Sequence, residues 1–406
     1  MSERGSKAAP GALDGMRILD LSRVLAGPSC AMILGDLGAE VIKVENPGAG
    51  DDTRAWGTMV APGQSTYYLS ANRNKKSIAL DLSKPEAQAI VREIARQSDV
   101  LIENFKLGGL GRFGLDYASL AAINPQLIYC SISGYGRDSP AAPRPGYDFV
   151  AQAESGLMAI NGEESGPPLK IGFAVVDIMT GMYATQAVLA AIIARKTTGR
   201  GQFIDMALYD CAIASLSYWA TGTMASGKNP RRYGNAHPDV VPYEQFECSD
   251  GGLVITVGND AQFRKFCQAV IDRPDLSADP RYRTNPDRVR HRAELSAEIT
   301  KVLRSRPRSH WLALLLKVGV PGGPVRTIPE ALAAEETTAR RMVRRVAHPT
   351  AGTVGILASP LRLSETPVRE PGTPPLVGQH TDEVLTGLLG FDAARLKALR
   401  AAGAIA

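Results

Sequence analysis

Short runs of β-branched and apolar residues alternate with helical stretches through the first half of the chain, and this alternation constrains the fold more than any other feature. Strands are predicted over 17–22, 39–45, 76–82, 99–105, 126–136 and 202–210, and helices over 27–38, 84–99 and 178–199. A strand that returns parallel to its predecessor needs a crossover, which is usually a helix. We therefore predict an α/β fold in which helices cover both faces of a parallel sheet.

The pattern changes after about residue 215. The segment 226–246 is rich in Pro, Gly and charge, and 246–258 has the pattern of a hairpin with Asp250, Gly251 and Gly252 at its turn. Helices are predicted over 260–272, 291–305 and 307–318, and the last part of the chain has a strand-like segment over 352–363 and helices over 381–390 and 392–402. A smaller α+β unit therefore follows the alternating region.

The composition excludes several classes of protein. With 406 residues the chain is long enough for two domains, and its net charge of +5 is spread along the sequence, so nucleic acid is not an expected partner. The five cysteines form no C-x-x-C pair, which argues against a metal site or a disulfide framework and favours a cytoplasmic location. Residues 1–15 lack the apolar stretch of a signal peptide and are predicted to form a flexible tail. No run of about 18 uncharged apolar residues occurs, so neither a transmembrane helix nor a membrane partner is expected.

The first strand, turn and helix imitate half of a dinucleotide-binding fold, since Gly27 lies in the turn and Glu45 ends the second strand. The turn has the sequence R-V-L-A-G-P, without the G-x-G-x-x-G pattern that accommodates a pyrophosphate. The chain also lacks a G-x-x-x-x-G-K-[ST] motif. A nicotinamide-dependent dehydrogenase and a P-loop enzyme are therefore not predicted.

Asp177 lies between a short apolar run and a long helix whose apolar residues, such as Ile178, Met182 and Ile192, have helical spacing. An Asp at this place is typical of a helix N-cap, and spacing alone favours that interpretation. The alternative is a nucleophile. An ionised carboxylate that is partly removed from water can attack a thioester, and the positive end of the helix would help to keep it ionised.

The segment 70–82 places Arg73, Lys75 and Lys76 ahead of a strand. Most such clusters are solvated loops. The alternative is a site for the phosphates of a nucleotide, because both guanidinium and ammonium groups bind phosphate. These residues alone leave both interpretations open.

Seven motifs, kept in order along nearly the whole chain, resemble those of the family III CoA-transferases, the group that includes formyl-CoA transferase and the carnitine CoA-transferase. They are R-I-L-D-L-S-R-V-L-A-G-P-S-C (17–30), G-D-L-G-A-E-V-I-K-V-E-N-P-G-A-G-D-D-T-R (35–54), N-R-N-K-K-S-I-A-L-D-L (72–82), L-I-E-N-F (101–105), G-Y-D-F-V-A-Q (146–152), V-D-I-M-T-G-M (176–182) and V-G-Q-H-T (377–381). The resemblance implies that Asp177 is the catalytic nucleophile.

This resemblance also implies a Rossmann-like large domain, built from both ends of the chain, with a small domain inserted. The bounds we predict are 1–215 for the first part of the large CoA-binding domain, 216–329 for the small α+β domain with its linkers, and 330–406 for the return to the large domain. Two subunits are implied to interlock, so the expected partners are a second copy of the chain and its substrates, acyl-CoA and carboxylic acids. CoA is then a substrate, and neither a tightly bound cofactor nor a metal is expected.

The resemblance further implies a set of residues that bind CoA at the strand ends. They are Val24, Leu25, Ala26, Asn72, Lys75, Asn104, Phe105 and Arg112. Trp56 and Tyr147 match positions that face the reacting thioester. A second carboxylate on the acyl group needs a cation, and we predict Arg54 or Arg73 for this role, with a surface or interface salt bridge as the alternative for each.

The chain departs from parts of the family in ways that bear on its substrate. Formyl-CoA transferase has a run of glycines where this chain has N-A-H-P-D-V-V-P-Y (235–243), and a nucleotide-binding arginine of some members is Asn46 here, so formyl transfer from oxalate is not expected. The racemases of the family have a His where this chain has Tyr147, and tyrosine is a much weaker acid. The motifs G-A-G-D-D-T-R, N-R-N-K-K-S-I-A and V-P-Y-x-x-F are similar to those of members that transfer CoA from succinyl-CoA to glutarate. A bacterial member that uses 3-sulfinopropionate, a sulfur-containing analogue of succinate, is also similar.

We therefore predict an enzyme that moves CoA from succinyl-CoA, or a similar acyl-CoA, to a dicarboxylate or an analogue, through an aspartyl anhydride and an aspartyl-CoA thioester. Two alternatives stay open: an acyl-CoA racemase or isomerase of the same family, and a non-catalytic CoA-binding protein. Turnover that depends on Asp177 distinguishes the transferase from the binding protein.

Overall fold

The structure, a computed structural model, describes residues 9–406. Its strands are β1 (Arg17–Asp20), β2 (Glu40–Glu45), β3 (Met59–Ala61), β4 (Gln64–Ser65), β5 (Lys75–Ala79), β6 (Val100–Glu103), β7 (Ile128–Ser133), β8 (Phe203–Ala207), β9 (Tyr243–Cys248), β10 (Gly251–Thr256), β11 (Gly322–Pro324), β12 (Val343–His348) and β13 (Gly352–Leu357).

Its α-helices are α1 (Ala26–Asp36), α2 (Thr66–Ala71), α3 (Pro85–Arg96), α4 (Tyr117–Ile123), α5 (Asp148–Glu154), α6 (Leu157–Ile160), α7 (Val175–Thr198), α8 (Leu208–Ser215), α9 (Ser217–Ser226), α10 (Asp260–Ala269), α11 (Pro274–Ala278), α12 (Asn285–Arg290), α13 (Arg292–Leu303), α14 (Arg308–Val318), α15 (Ile328–Ala333), α16 (Glu335–Ala339), α17 (Thr381–Leu389) and α18 (Ala393–Ala401). Short 3₁₀ helices span Asp52–Ala55 and Gly111–Phe113.

Six strands form one parallel sheet in the order β5-β2-β1-β6-β7-β8. If the short β3 and β4 are set aside, this is the 3-2-1-4-5-6 order of the Rossmann fold. The predicted α/β fold with a parallel sheet is therefore confirmed. The strand order reverses between β1 and β6, and ligands of such sheets bind beyond the carboxyl ends of the strands at this switch point.

The two faces of the sheet have separate apolar cores, because successive side chains of a strand point to opposite faces. Leu19 and Ile42 face one core, which is completed by side chains of α3, α4, α17 and α18. Ile18 and Val41 face the other, which is completed by side chains of α1 and α7. Both faces are therefore covered by helices, as the alternating pattern predicts.

Helix α7 is the longest of these covering helices. Among the described residues it is the one helix long and apolar enough to cross a membrane, and the absence of a transmembrane helix remains a prediction. Length and composition alone are the basis of that match, and core helices of soluble folds also meet it. Here α7 packs against α1, β7 and β8, and 44% of its most apolar stretch of 18 residues is buried.

The segment around α17 covers the β5 edge of the sheet. The N–H of Ala79 donates to Oγ1 of Thr381 at 3.1 Å, and the N–H of Ser77 donates to Nδ1 of His380 at 3.2 Å. Further along, Leu80 forms an antiparallel bridge with Ile405. Residues about 300 positions apart in the sequence thus complete one edge of the fold.

The chain divides into two compact units. The larger runs to Leu157 and adds Ile171–Thr221 and Glu336–Ala406, whereas the smaller consists of Met158–Lys170 and Gly222–Glu335. The segment Met158–Lys170 thus joins the smaller unit, although the sequence analysis placed it in the large domain. The smaller unit has an antiparallel sheet in the order β11-β10-β9 and a core of its own. The predicted hairpin is confirmed as β9 and β10, with its turn at Ser249 and Asp250.

Some local predictions are wrong. Of the flexible tail predicted over 1–15, residues 1–8 lie outside the described part, but Leu13 is buried and its N–H donates to the carbonyl of Leu37 at 2.9 Å. The N-cap of α3 is Lys84 rather than Ser83, because Pro85 occupies the first helical position. The strand predicted over 352–363 ends at Leu357. Pro360 follows three residues later, and proline has no N–H to donate to a neighbouring strand.

Candidate active site

A cavity of about 180 Å³ opens beyond the carboxyl ends of β1, β6 and β7, at the switch point of the sheet. We call it the Asp177 cavity. Its walls are Arg23, Val24, Leu25, Ala26, Asp52, Asn104, Phe105, Lys106, Leu107, Ile132, Ser133, Gly134, Arg137, Ala142, Pro143, Arg144, Pro145, Gly146, Tyr147, Asp177 and Leu208. The cavity therefore brings together several of the predicted site residues: Val24, Leu25 and Ala26 of the first turn, Asn104 and Phe105 of the second, Tyr147 and Asp177.

Asp177 is the third residue of α7, so it is not the N-cap that spacing alone favoured. The N-cap is Ala174, whose side chain has no oxygen to cap the helix. The N–H groups of Val176 and Asp177 instead donate to Oδ1 of Asp148, at 2.7 and 3.2 Å. The helix is therefore capped by a carboxylate from α5, and the side chain of Asp177 is left directed at the cavity that it lines.

The carboxylate of Asp148 is itself held in place. Its Oδ2 accepts a hydrogen bond from Nε2 of Gln152 at 2.7 Å, and Oε1 of Gln152 accepts from the N–H of Ile171 at 2.9 Å. Gln152 is fully buried. The Asp148–Gln152 pair thus fixes both ends of the segment 171–177 that leads into α7.

Burial, and then the negative charge of Asp148, raise the pKa of Asp177 to about 7. From the sequence, the positive end of the helix was predicted to help keep Asp177 ionised. That expectation is wrong, because Asp148 occupies the helix N–H groups and adds a like charge beside Asp177. A carboxylate of this kind is a stronger base and a stronger nucleophile than an ordinary aspartate once it has lost its proton.

The turn after β1 forms one wall of the cavity, and its shape depends on buried charges. Val24 has a φ of 72°, which is a strained conformation for a β-branched residue. Its N–H donates to Oδ1 of Asp51 at 3.3 Å, and Oδ2 of Asp51 is paired with Nζ of Lys43 at 2.9 Å. Lys43 also donates to the carbonyl of Ser22, so one fully buried ammonium group holds both sides of the turn.

The turn after β6 is tied to the same wall. Oδ1 of Asn104 accepts from the N–H of Arg23 at 2.9 Å, and Nδ2 of Asn104 donates to the carbonyl of Arg23 at 2.7 Å. Of the predicted CoA-binding residues, Val24, Leu25, Ala26, Asn104 and Phe105 therefore line the Asp177 cavity.

A second cavity, of about 240 Å³, lies next to the first and shares Arg23 and Phe105 with it. Arg112, the remaining cavity-lining member of the predicted set, lies here, with its guanidinium 4.5 Å from the centre of the Phe113 ring. Sequence reasoning missed Arg23, although it directly precedes Val24 in the chain.

Asn72 and Lys75 do not have the predicted position. Both are buried, and neither lines either cavity. Nζ of Lys75 is 2.9 Å from Oδ2 of Asp20 and also donates to Oδ1 of Asn72 and to the carbonyl of Pro28. The correction has a physical reason: an ammonium group with a buried carboxylate partner and two further acceptors has no donor left for a phosphate.

Arg54 and Arg73 have neither the predicted substrate-anchoring role nor the alternative of a surface or interface salt bridge, because each forms a buried salt bridge within the chain. Arg54 donates from Nε and Nη2 to the two carboxylate oxygens of Glu45, at 2.8 Å each, and lies over the ring of Tyr68. Arg73 forms the same two-point contact with Asp36. Both arginines are buried and neither lines the Asp177 cavity.

The two predicted thioester-facing aromatic residues differ. Tyr147 lines the Asp177 cavity and is 62% exposed. Trp56 does not line it, but packs edge-on against Tyr67 with ring centres 5.7 Å apart. Burial, and then the charges of Asp177, Asp148 and Asp51, raise the pKa of Tyr67, the aromatic partner of Trp56. Sequence reasoning missed Tyr67 and Asp148, although Asp148 directly follows Tyr147 in the G-Y-D motif.

The segment that positions Tyr147 crosses the end of β7 at very short range. A Cβ on Gly134 would lie 2.6 Å from Cα of Gly146, and a Cβ on Gly146 would lie 2.3 Å from Cα of Gly134. Only glycine fits at either position. This crossing brings the segment 146–148 next to the start of α7, where Asp148 accepts its hydrogen bonds.

Within residues 9–406, no group of three or more His, Cys, Asp or Glu side chains is arranged to bind a metal ion. The site therefore consists of a carboxylate of raised pKa, a turn that exposes main-chain groups, aromatic side chains and several cations around a crevice. Such a set suits acyl transfer to a carboxylate from a large anionic ligand.

Comparison with known proteins agrees with this chemistry. The sequence model of CoA-transferase family III matches residues 13–381, and the chain belongs to this family. It is 43% identical over 393 residues to the succinyl-CoA:glutarate CoA-transferase of Homo sapiens, covering 97% of this chain and 90% of the relative. It is also 43% identical over 382 residues to the succinate–glutarate CoA-transferase of Agrobacterium fabrum, and this match covers 93% of this chain and 95% of the relative. The crystal structure of a CAIB/BAIF family protein from Brucella suis is similar, with a TM-score of 0.85 and 42% identity over 93% of this chain and 100% of that one.

Proposed function

We propose that this protein transfers CoA from succinyl-CoA to a dicarboxylate such as glutarate, or to the analogue 3-sulfinopropionate, and that Asp177 is the nucleophile. The main support is the position of Asp177: a carboxylate of raised pKa lies in the wall of the cavity at the switch point. The names of the human and Agrobacterium relatives support succinyl-CoA and glutarate as the substrate pair.

The reaction needs only exchange between acyl groups. An oxygen of Asp177 attacks the thioester carbon of succinyl-CoA, the C–S bond breaks, and CoA thiolate leaves the mixed anhydride. The thiolate then attacks Cγ of Asp177 and releases succinate, which leaves an aspartyl-CoA thioester. The acceptor carboxylate attacks this thioester and the steps run in reverse. Since the overall reaction exchanges one thioester and carboxylate for another of similar energy, it needs no ATP.

The two adjoining cavities suit the two ends of an acyl-CoA. The thioester belongs in the Asp177 cavity, and the phosphate-bearing end in the second cavity, where Arg23 and Arg112 supply positive charge. Phe105, which lines both cavities, offers an apolar surface to the connecting arm. The anhydride must be kept from water, so closure over the crevice is expected when the substrate is bound.

We also propose that the protein works as an interlocked homodimer in the cytoplasm, as the family resemblance implies. Large apolar side chains of the larger unit are exposed in the single chain, among them Phe149, Phe173, Met182 and Ile193. A second subunit would shield such residues from water. Light scattering should give twice the 43.3 kDa of one chain, and a monomer mass at working concentration would contradict the dimer. The five cysteines are free and buried, which is compatible with a reducing compartment.

The test of the function is a panel of acceptor acids. The enzyme is incubated with succinyl-CoA and glutarate, 3-sulfinopropionate, butyrate or oxalate, and the acyl-CoA products are identified by mass spectrometry. Glutaryl-CoA or 3-sulfinopropionyl-CoA should dominate, and Asp177→Ala should lower kcat/KM by about 10⁴-fold or more, the scale seen for loss of a catalytic nucleophile. An unchanged succinyl-CoA pool with every acid, or epimerisation of a chiral acyl-CoA instead, would favour a binding protein or a racemase.

A further inference from the structure

We propose that Asp148 is a positioning residue that favours acylation of Asp177: it holds the first turn of α7 and repels the ionised Asp177 side chain, and the repulsion ends when Asp177 becomes an anhydride or thioester. This inference rests on the proposed function, because it assigns to Asp148 a role in the reaction of that same nucleophile.

The geometry gives Asp148 both roles at once. One oxygen accepts from the N–H groups of Val176 and Asp177, and the other is bound by Gln152, so the carboxylate cannot turn away from α7 without losing three hydrogen bonds. A first-turn carboxylate usually gains from the positive end of its helix. Here that end is already neutralised by Asp148, and the side chain of Asp177 meets a second negative charge instead.

The other charged groups around the cavity do not offset this repulsion. Arg23, Arg137 and Arg144 line it, but each is paired with its own carboxylate. These partners are Asp52, Glu103 and Glu154. The charges of Asp177 and Asp148 raise the pKa of Tyr67, which lies in α2, and Lys106 is exposed at the cavity wall. Burial, and then the charge of Asp148, raise the pKa of Asp177, which agrees with this arrangement.

The charge of Asp177 changes during the reaction, whereas that of Asp148 does not. When Asp177 attacks the thioester, its negative charge passes to the CoA thiolate, and the acylated side chain is neutral. The side chain of Asp177 is neutral also in the aspartyl-CoA thioester, which forms when succinate leaves as a carboxylate. The repulsion is thus confined to the free, ionised enzyme, and an interaction that is worse in the ground state than in the product of a step favours that step.

The test compares Asp148→Asn with Asp148→Ala. The asparagine keeps a side-chain oxygen that can accept from the two N–H groups but has no charge, whereas the alanine lacks both. Asp382→Asn is the matched control, since Asp382 also lies in the first turn of a helix but pairs with Arg400 at the surface. Each protein is incubated with succinyl-CoA, the aspartyl-CoA adduct is trapped with borohydride and its fraction is measured by mass spectrometry, and the pH profile of kcat/KM is recorded.

For the wild type, a pKa of about 7 predicts that kcat/KM at pH 6 should be about tenfold below its plateau. In Asp148→Asn, kcat/KM at pH 6 should lie less than tenfold below its plateau. A smaller fraction of the enzyme should be trapped as the adduct, and KM for succinyl-CoA should stay within about twofold of the wild type. Asp148→Ala should in addition lose kcat at every pH, because α7 is no longer capped. An Asn variant with the pH profile and adduct fraction of the wild type overturns the inference. Absence of adduct in the wild type instead overturns the proposed function of Asp177.

Discussion

Nζ of Lys75 lies 2.9 Å from Oδ2 of Asp20, and both side chains are completely shielded from water. Burial alone would raise the pKa of Asp20, but the charges of Lys75 and Lys43 and the hydrogen bond from Ser22 lower it below its ordinary value. Asp20 ends β1 at the switch point. A buried ion pair therefore supports the turn that forms one wall of the Asp177 cavity.

Loss of Lys75 should act on stability first. Lys75→Met leaves the Asp20 carboxylate buried without its partner, which typically costs about 3–5 kcal/mol of unfolding free energy. The control is Lys76→Met, because the neighbouring side chain is 37% exposed and its ion pairs are on the surface, where the cost is usually below about 1 kcal/mol. Urea denaturation measures both. A Lys75→Met enzyme of normal stability with weakened CoA binding would restore Lys75 to the phosphate-binding role predicted from the sequence.

The activity should depend on pH through Asp177. Since the ionised form attacks and its pKa is about 7, kcat/KM for succinyl-CoA should rise as the pH rises through 7 and then level off. Kinetics between pH 5.5 and 8.5 test this, with CoA binding measured over the same range to separate recognition from chemistry. A flat profile across this range would show that Asp177 is ionised throughout.

The raised pKa of Asp177 has opposite effects on activity and on stability: as the pH rises, activity should increase and the stability of the fold should decrease. The folded-state pKa of Asp177 lies above its unfolded value, so the folded protein holds the extra proton between the two. The stability contributed by this group is therefore lost as the pH rises through about 7. In Asp177→Asn this part of the pH dependence of unfolding should disappear, while the ordinary loss of stability in strong acid should stay.

Arg54 should be a structural rather than a substrate-selecting residue. Arg54→Met leaves Glu45 buried and unpaired, and we expect a loss of about 3–5 kcal/mol in unfolding free energy. The ratio of kcat/KM for glutarate to that for butyrate should stay within about twofold of the wild type, because Arg54 does not line the Asp177 cavity. Steady-state kinetics with the two acids provide the measurement. A selective loss with glutarate would show that Arg54 reaches the distal carboxylate after all.

The buried salt bridges of this protein could not be predicted from the sequence, whereas the sheet could. Strand and helix periodicity are local, so the pattern was enough to predict the parallel sheet and the place of Asp177 at the start of α7. The partner of a charge is not local. Arg73 meets Asp36 across 37 positions and Lys75 meets Asp20 across 55, and nothing in the spacing distinguishes such pairs from a phosphate site. Asp148 was overlooked for the same reason, since its hydrogen bonds to Val176 and Asp177 join elements 28 and 29 positions apart.

The crossing of Gly134 and Gly146 should tolerate no side chain. In Gly134→Ala the new Cβ would meet main-chain atoms that cannot rotate away, so the segment carrying Tyr147 and Asp148 must shift. Overpacking of this kind typically costs about 1–3 kcal/mol, and we expect a fall in kcat in addition. Gly387→Ala, at an exposed helical site where a Cβ meets no atom within 4 Å, is the control and should be neutral or slightly stabilising. Equal behaviour of the two variants would contradict the close crossing.

The segment around α17 covers the β5 edge of the sheet, and it is synthesised long after that strand. Ala79 is synthesised 302 residues before Thr381, which at about 5–20 residues per second corresponds to roughly 15–60 s on the ribosome. During that interval the strand has an unpaired edge, the feature by which nascent chains associate with one another. The smaller unit, which has a core of its own, is translated within the same interval. Slower translation between residues 80 and 380 should thus lower the soluble yield of this protein, and chaperones that shield strand edges should raise it.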